Sequence, residues 1–451
     1  MTGGSNPPAP AIAAVVMAAG LGTRMRSRRP KHLHELLGRR MLDWALDAVI
    51  PLGPSPLVVV VSPDTRAELD GTLPAGATLA LQDEPRGTGD AAAAGLDALG
   101  GFDGDVLVVP GDAPLLAPEL VRELVETHRR EGASVTLLSI ETGKPLPYGR
   151  VVRDAEGRVR RIVEEGDATE EERAIRELNA SVYAFAAGDL RDALARLKPD
   201  NAQGELYLTD AVRLVADAGR PVATVRTTDV DAAQGVNTRV ELAEAAAALR
   251  ERILRAHMLA GVTITDPATT WIDGGVEIEP DAVIGPFTVL QGRTVVGAEA
   301  QVGPHVVARD AEIGPRATVG PFAYLRPGAR LGADAKVGTF VEVKNAEIGE
   351  RSKVPHLSYI GDAEIGEDTN IGAGAITANY RPEMGSGKQR TRIGSNVHTG
   401  SDNVFVAPVE IGDNAWIGAG STITDDVPPG ALAIARARQV VKERYGDKRD
   451  E

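Results

Sequence analysis

Two spacings of apolar residues divide the chain. Between residues 11 and 237 the apolar positions come in short unbroken runs. "AAVVMAAG", "PLVVVVSP", "DVLVVPGDAPLL" and "ASVTLLSIE" read as buried strands. Between them, "MLDWALDAVIPLG", "TRAELDGTL" and "PELVRELVETHRREG" have the spacing of helices. β-Branched runs separated by helices predict an α/β fold, with a Rossmann-like, mainly parallel sheet covered on both faces. Ligands of such sheets sit at the carboxyl ends of the strands. Residues 238–260, rich in Ala, Leu, Glu and Arg, predict one linker helix closed by Gly261. The expected division is therefore 1–237, 238–260 and 261–451.

Beyond residue 261 the period becomes six. Aliphatic residues recur at Ile278, Ile284, Leu290, Val296 and Val302, and again from Ile313 through Val319, Leu325, Leu331 and Val337 to Val343. The series continues through Ile348, Val354, Ile360, Ile365 and Ile371, and later from Ile393 to Ile423. Glycine usually follows. This is a hexapeptide repeat, the signature of a parallel β-helix in which three hexads make one triangular coil. Flat sides with unpacked apolar surface invite a neighbouring subunit, so a trimer is expected.

Composition narrows the chemistry. With 451 residues the chain is too long for one core. The net charge of −15 speaks against nucleic-acid or anionic-membrane partners. The absence of cysteine excludes disulfides, thiolate metal sites and a cysteine nucleophile. No apolar run approaches bilayer-spanning length, and a cytoplasmic protein is expected. Residues 1–10 read as a disordered leader and "ERYGDKRDE" as a disordered tail.

The stretch "VVMAAGLGTRMRSRRPKHLHEL" runs from a strand into a glycine-rich loop and then basic residues. Small residues let backbone amides approach phosphate oxygens, and Arg24 and Lys31 can neutralise phosphate charge. A bare Gly-x-Gly is more often a turn. Asp112 follows a buried strand, where a carboxylate can hold Mg2+ or simply cap a turn. "QGVNTR" offers Asn237 as a second oxygen ligand. His32 and His34 read as packing and surface residues.

In the hexad frame Val354 points inward and Ser358 fills a small inward position, which leaves His356 and Tyr359 outside. Arg326, Lys344, Asn370, Asn379 and Tyr380 break the rhythm nearby. A purely structural repeat has no need of that polar set.

Taken together, "MAAGLGTRM…PKHLHEL", "LQDEPRGTGDA", "PGDAPLL", "YGRVVR", "RIVEEGDAT" and "QGVN" resemble the sugar-1-phosphate nucleotidyltransferases. With the linker helix and the hexapeptide repeats, residues 12–445 resemble the bifunctional family of N-acetylglucosamine-1-phosphate uridyltransferase/glucosamine-1-phosphate N-acetyltransferases. The resemblance implies a left-handed β-helix, a homotrimer, Mg2+, and UTP and acetyl-CoA as co-substrates. It implies that glucosamine-1-phosphate is acetylated in the C-terminal half. The resulting N-acetylglucosamine-1-phosphate is then uridylylated in the N-terminal half, supplying UDP-N-acetylglucosamine for peptidoglycan and lipopolysaccharide.

It also implies roles for residues. Met17, Ala19, Gly20, Arg24 and Lys31 would line the nucleotide and its phosphates. Gln82, Gly87 and Thr88 would read uracil. Asp112 and Asn237 would hold Mg2+, and Gly149, Glu164 and Asn179 would contact the N-acetylglucosamine moiety. His356 would be the general base; an imidazole ordinarily titrates near 6.5, which suits proton transfer at neutral pH. Arg326, Lys344, Tyr359 and Asn370 would hold the phosphorylated sugar. Ala373, Ser401, Ala419 and Arg436 would contact acetyl-CoA, as would Asn379, Tyr380 and Lys388, which also border the sugar.

Three departures stand out. Pro110 replaces the usual Tyr, Asn179-Ala180-Ser181 replaces Asn-Thr-Gly, and the loop after Tyr380 is lengthened, so the match of Lys388 crosses an insertion. The alternatives are a transferase of other nucleotide or sugar specificity with an inert or differently acylating helix, and a non-catalytic assembly protein that kept both folds.

Overall fold

The computed structural model describes residues 11–20 and 22–443, so the leader and all of the tail but Glu443 lie outside the described residues. The chain forms two compact units that divide between Leu249 and Arg250, inside the helix Arg239–Leu259.

The N-terminal unit is built on one sheet. Its strands run in the order Val222–Thr227, Val135–Glu141, Glu177–Ala186, Asp105–Pro110, Ile12–Ala18, Leu57–Val61, Ala77–Leu81. Every neighbouring pair is parallel except the two made by Glu177–Ala186, which is antiparallel to both partners. The unbroken β-branched runs are explained by burial on both sides. Val15, Val58, Val60, Val106 and Val108 feed one core, and Val16, Val59, Val61, Leu107 and Val109 the other. A hairpin of Arg150–Arg153 and Val159–Val163 attaches beside Glu177–Ala186.

The helix Thr88–Ala98 lies close on the sheet because its Ala- and Gly-rich face allows it. A Cβ on Gly95 would stand 2.3 Å from Val15 Cγ1. The stretch "TRAELDGTL" is helical only as far as Leu69.

The C-terminal unit is a three-faced parallel β-helix. The first face carries the strands from Thr263–Ile264 to Lys353–His356 and is continued by His398–Thr399, Trp416–Ile417 and Leu432–Ala433. The second runs from Trp271–Ile272 to Thr422–Ile423, and the third from Glu277–Ile278 to Val409–Ile411. The hexad positions behave as expected: Ile284, Leu290, Val296, Leu325, Val343, Val354, Ile360 and Ile371 are all fully buried.

Residues at the corners adopt left-handed backbone. Along the corner between the first and second faces these are Phe287, His305, Phe322, Phe340 and Leu357. The four rings of that column stack at 4.7, 4.7 and 5.4 Å between centroids.

Two candidate active sites

The N-terminal site forms at the carboxyl ends of the central strands. The strand Ile12–Ala18 ends in the glycine loop, and Gly22 takes left-handed backbone (φ 61°). A Cβ there would come 2.6 Å from Lys31 Cβ, so the loop packs directly on the lysine. Asp112 stands just beyond the adjacent strand, Asp105–Pro110, where Gly111 N–H is tied to Met17 O (2.8 Å). Asn237 is placed by a capping box at the start of the long helix. Thr238 Oγ1 accepts from Glu241 N–H (3.2 Å), and the Glu241 carboxylate accepts from the N–H groups of Asn237 (2.6 Å) and Thr238 (2.8 Å).

These three segments, far apart in sequence, meet at one atom. Lys31 Nζ donates to Asp112 Oδ2 and to Asn237 Oδ1 (3.0 Å), and Arg24 Nη2 also donates to Asn237 Oδ1 (3.0 Å). Lys31 is buried. Burial alone would raise the Asp112 pKa; the Lys31 ammonium, His32 and the hydrogen bonds more than reverse it and hold it below the ordinary value. A carboxylate and an amide oxygen already converge on a cation here, so the donor set suits a hard divalent ion completed by phosphate oxygens and water.

His32 and His34 are both buried, which corrects the surface reading. Burial and then Lys31 push the His32 pKa down to about 4, so the ring is neutral at pH 7. Its Nδ1 has no hydrogen-bond partner among the described residues.

A cavity of about 900 Å3 opens over this cluster. Met17, Ala19, Gly20, Arg24, Lys31, Gln82, Gly87, Thr88, Asp112, Glu164 and Asn237 all line it, as does Pro110. Gln82 Nε2 donates to Gly87 O (3.1 Å) and Asp90 Oδ2 (2.8 Å), which leaves its Oε1 as the acceptor. Gly149 and Asn179 are both buried and do not line the cavity. Gly149 O accepts from Asn179 N–H (2.7 Å), and a Cβ on Gly149 would be 3.4 Å from Glu164 Oε2. Burial raises the Glu164 pKa, although Thr209 Oγ1 donates to it (3.0 Å).

The departure at Asn179-Ala180-Ser181 has a structural reading. The strand bulges between Asn179 and Tyr183, and Ser181 takes left-handed backbone (φ 60°) where glycine would be unstrained. Asn179 Oδ1 accepts from Ser181 N–H (3.2 Å), and Asn179 Nδ2 donates to Tyr183 Oη (2.7 Å). Tyr183, Thr209 and Glu165 line or support this end of the cavity and were not anticipated.

In the C-terminal unit the expected residues fall into two groups. One climbs the corner between the first and second faces. Gly374 N–H meets His356 O at 3.4 Å, Asp402 N–H meets Ala373 O (2.7 Å), and Gly420 N–H meets Ser401 O (2.8 Å). Arg436 Cδ would be 3.8 Å from a Cβ on Gly420. His356, Ala373, Ser401, Ala419 and Arg436 thus belong to one column of successive coils, about 19 Å long at the usual strand spacing. Asn370 bridges Lys353 and His398 on the first face beside it. His398 stacks on Trp416 at 4.6 Å.

The other group sits where the second face meets the third. Arg326 Nη1 is held by Glu342 Oε1 (2.8 Å) and Lys344 Nζ lies 3.8 Å from Asp362 Oδ2. Tyr359 leans along its strand over Gly361, where a Cβ would be 2.4 Å from the phenol oxygen, so a larger residue there would displace the ring. Asn379 Nδ2 donates to Tyr359 Oη (3.3 Å) and Asp362 Oδ2 (2.5 Å). Tyr380 pairs with Lys388, whose ammonium lies 4.2 Å from the ring centroid, so the two ends of the lengthened loop meet at its base. Glu342, Asn345 and Asp362 were not anticipated.

His356 is exposed, as the hexad count requires, and its ring has no side-chain partner among the described residues. The strand Tyr359–Gly361 separates it from the Asp362 cluster, so the two groups occupy opposite edges of the second face.

Comparison with known proteins bears on both units. Residues 14–214 match the MobA-like NTP transferase domain, and residues 390–425 match the bacterial transferase hexapeptide (six repeats). The chain is 50% identical to the bifunctional protein GlmU of Mycolicibacterium gilvum, over 97% of this chain and 93% of that protein. It is 50% identical to the bifunctional protein GlmU of Streptomyces avermitilis, over 95% and 92% of the two chains. It is 49% identical to that of Mycobacterium tuberculosis (strain ATCC 25177 / H37Ra), over 95% and 90%.

Proposed function

The chain belongs to the GlmU family, and from that premise we propose how its own residues divide the work. It is a bifunctional enzyme of UDP-N-acetylglucosamine biosynthesis, a nucleotidyltransferase joined to an acetyltransferase. The observation that carries the assignment is the convergence of Lys31, Asp112 and Asn237 in the lining of the N-terminal cavity.

In the N-terminal unit the substrates are UTP and N-acetylglucosamine-1-phosphate. Met17, Ala19 and Gly20 line the nucleotide. Gln82 Oε1 accepts from the N3–H of uracil, a donor that cytosine lacks. Gly149, Glu164 and Asn179 hold the sugar. A phosphate oxygen of the sugar phosphate attacks the α-phosphorus in line, the bond to the β-phosphate oxygen breaks, and pyrophosphate leaves. Arg24 and Lys31 neutralise the charge that builds on the phosphates. Asp112 and Asn237 would hold Mg2+, which would supply positive charge to offset that of the phosphates. No nucleophilic side chain is needed, since positioning and charge neutralisation supply the rate.

In the C-terminal unit His356 takes a proton from the sugar's amine, and the amine attacks the thioester of acetyl-CoA. The carbon–sulfur bond breaks and the thiolate of CoA leaves with a proton. Arg326, Lys344 and Tyr359 hold the phosphorylated sugar, joined by Asn370. Asn379, Tyr380 and Lys388 lie between it and acetyl-CoA, which follows the corner column of Ala373, Ser401, Ala419 and Arg436.

Because the two groups occupy opposite edges of one face, a second copy would have to close the site around His356. The partly exposed column of Trp271, Val307, Tyr324 and Ile376 on that face supports a homotrimer. Among the described residues no helix is long and apolar enough to cross a membrane, and a cytoplasmic enzyme is the reading we favour.

The direct test supplies the enzyme with glucosamine-1-phosphate, acetyl-CoA, UTP and Mg2+ and identifies products by mass. UDP-N-acetylglucosamine, CoA and pyrophosphate are expected in equal amounts. CoA release without pyrophosphate, or the reverse, would remove one half of the assignment, and a monomeric mass in solution would remove the shared site.

A further inference from the structure

The buried carboxylate of Asp362 has no part in the chemistry above, yet it ties the second site together. It occupies a corner in left-handed backbone (φ 49°), with its side chain only 9% exposed. Its two oxygens are used separately. Oδ1 accepts from Asn345 Nδ2 (2.6 Å), one coil earlier, and Oδ2 accepts from Asn379 Nδ2 (2.5 Å), one coil later. Lys344 Nζ stands 3.8 Å from the same Oδ2.

Chemistry settles which way the Asn379 amide points. A carboxylate only accepts, so the NH2 end of Asn379 must face Asp362. The same NH2 reaches Tyr359 Oη at 3.3 Å, which leaves the phenol proton free to donate elsewhere. The outward pole of Asn379 is then its Oδ1, an acceptor. Were the amide reversed, an oxygen would face the buried carboxylate and the site would lose its acceptor.

We propose that Asp362 is a positioning residue of the acetyl-transfer site: by fixing the Asn379 amide it makes Asn379 Oδ1 the acceptor that receives an N–H or O–H of the bound amino sugar. The inference rests on the acetyl-transfer reading above. Failure of that reading would show in the wild-type enzyme, as no CoA release with glucosamine-1-phosphate, before any variant is made.

The test uses matched corner variants in the full chain. Asp362→Gly removes the carboxylate and keeps left-handed backbone free of strain. Asn345→Gly does the same one coil earlier, where φ is 46°, and breaks the Asp362–Asn345 bond without touching Asn379. Uridylyl transfer from N-acetylglucosamine-1-phosphate and thermal melting report folding in each. Asp362→Gly should lower kcat/KM for glucosamine-1-phosphate about 10- to 100-fold, the range expected when a substrate-orienting group is lost, while uridylyl transfer stays. Asn345→Gly should stay within threefold of wild type.

The double variant Asp362→Asn/Asn345→Asp restores both bonds. The amide introduced at position 362 donates to the carboxylate introduced at position 345, in place of the old bond, and still presents oxygen to Asn379. Most of the acetyl-transfer activity should therefore return. Three results would each overturn the proposal: Asp362→Gly within threefold of wild type, Asn345→Gly as impaired as Asp362→Gly, or a folded double variant with no recovery.

Discussion

The ammonium of Lys31 stands where a carboxylate oxygen of Asp112 and the amide oxygen of Asn237 converge, and its removal should be measurable without any turnover. Lys31→Ala leaves the Asp112 carboxylate, whose side chain is 18% exposed, without its principal counter-charge. Breaking one partner of a buried ion pair costs about 3–5 kcal/mol. Arg24, bound to the neighbouring Asn237 Oδ1, can turn part of its charge toward the carboxylate, so the lower end applies. At about 2–4 °C per kcal/mol for a unit of this size, the N-terminal unit should melt about 6–12 °C below wild type.

A divalent cation can take the vacated place. At about a hundredfold excess over its dissociation constant it returns about 2.7 kcal/mol, or about 5–11 °C. In the wild type the same ion must first displace the ammonium, so its shift should be less than half as large. Calorimetry of the full chain, with excess MgCl2 or with chelator, reads both effects, and the transition that moves on adding UTP with Mg2+ to wild type marks the N-terminal unit. Equal melting of variant and wild type without metal, or equal Mg2+ shifts in the two, would refute the view that Lys31 serves as a resident cation.

Three further outcomes follow from the geometry. His356→Ala should abolish CoA release while uridylyl transfer and melting temperature stay unchanged, because the ring is exposed and has no side-chain partner among the described residues; a large loss of stability would contradict this. Glu164→Gln should stabilise the enzyme at pH 7 but not at pH 4, while weakening N-acetylglucosamine-1-phosphate binding. Burial raises the Glu164 pKa in the folded state, so the folded chain holds the proton longer, and stability falls as pH rises from the unfolded toward the folded pKa. Glutamine removes that loss, and urea midpoints at the two pH values check it. Leu325→Ala should cost about 2–5 kcal/mol, since its inward neighbours in adjacent coils are Ala308 and Val343 and the small alanine cannot fill the space. A loss under 1 kcal/mol in urea unfolding would show that the coils collapse around the gap.

Much of the fold was legible because the interior of a β-helix accepts only one kind of residue at each inward position. Counting sixes from Val354 was enough to put His356 outside. The central parallel strands were legible for a related reason, burial on both faces of the sheet. The hairpin Arg150–Arg153/Val159–Val163 was not, because "RVVR" and "VRRIV" carry charge and owe their pairing to the strand beside them. Nor was the helix Thr88–Ala98, whose glycines serve close packing on the sheet rather than helix propensity. Motifs could place Lys31, Asp112 and Asn237 in one site, but not the ammonium between the two oxygens, since that depends on how three distant segments pack.

Asp362 shows a different limit. Aspartate and asparagine recur in left-handed corners throughout the β-helix, at Asp281, Asp310, Asp334, Asn345, Asp368, Asn396, Asp402 and Asn414. A short polar side chain suits that conformation, so each reads as a turn former. Asp334 and Asp368 meet arginines on the surface, at Arg316 and Arg351, and do no more than link coils. Asp362 has the same residue type and the same backbone, but the coil above supplies Asn379 and the coil below Lys344 and Asn345. What separates a scaffold corner from a working one is therefore not its own sequence but which residues stand one coil away, seventeen positions distant in either direction for Asn345 and Asn379. In a repeat protein, function is written across coils, and a reading along the chain meets it only where a residue such as His356 breaks the repeat outright.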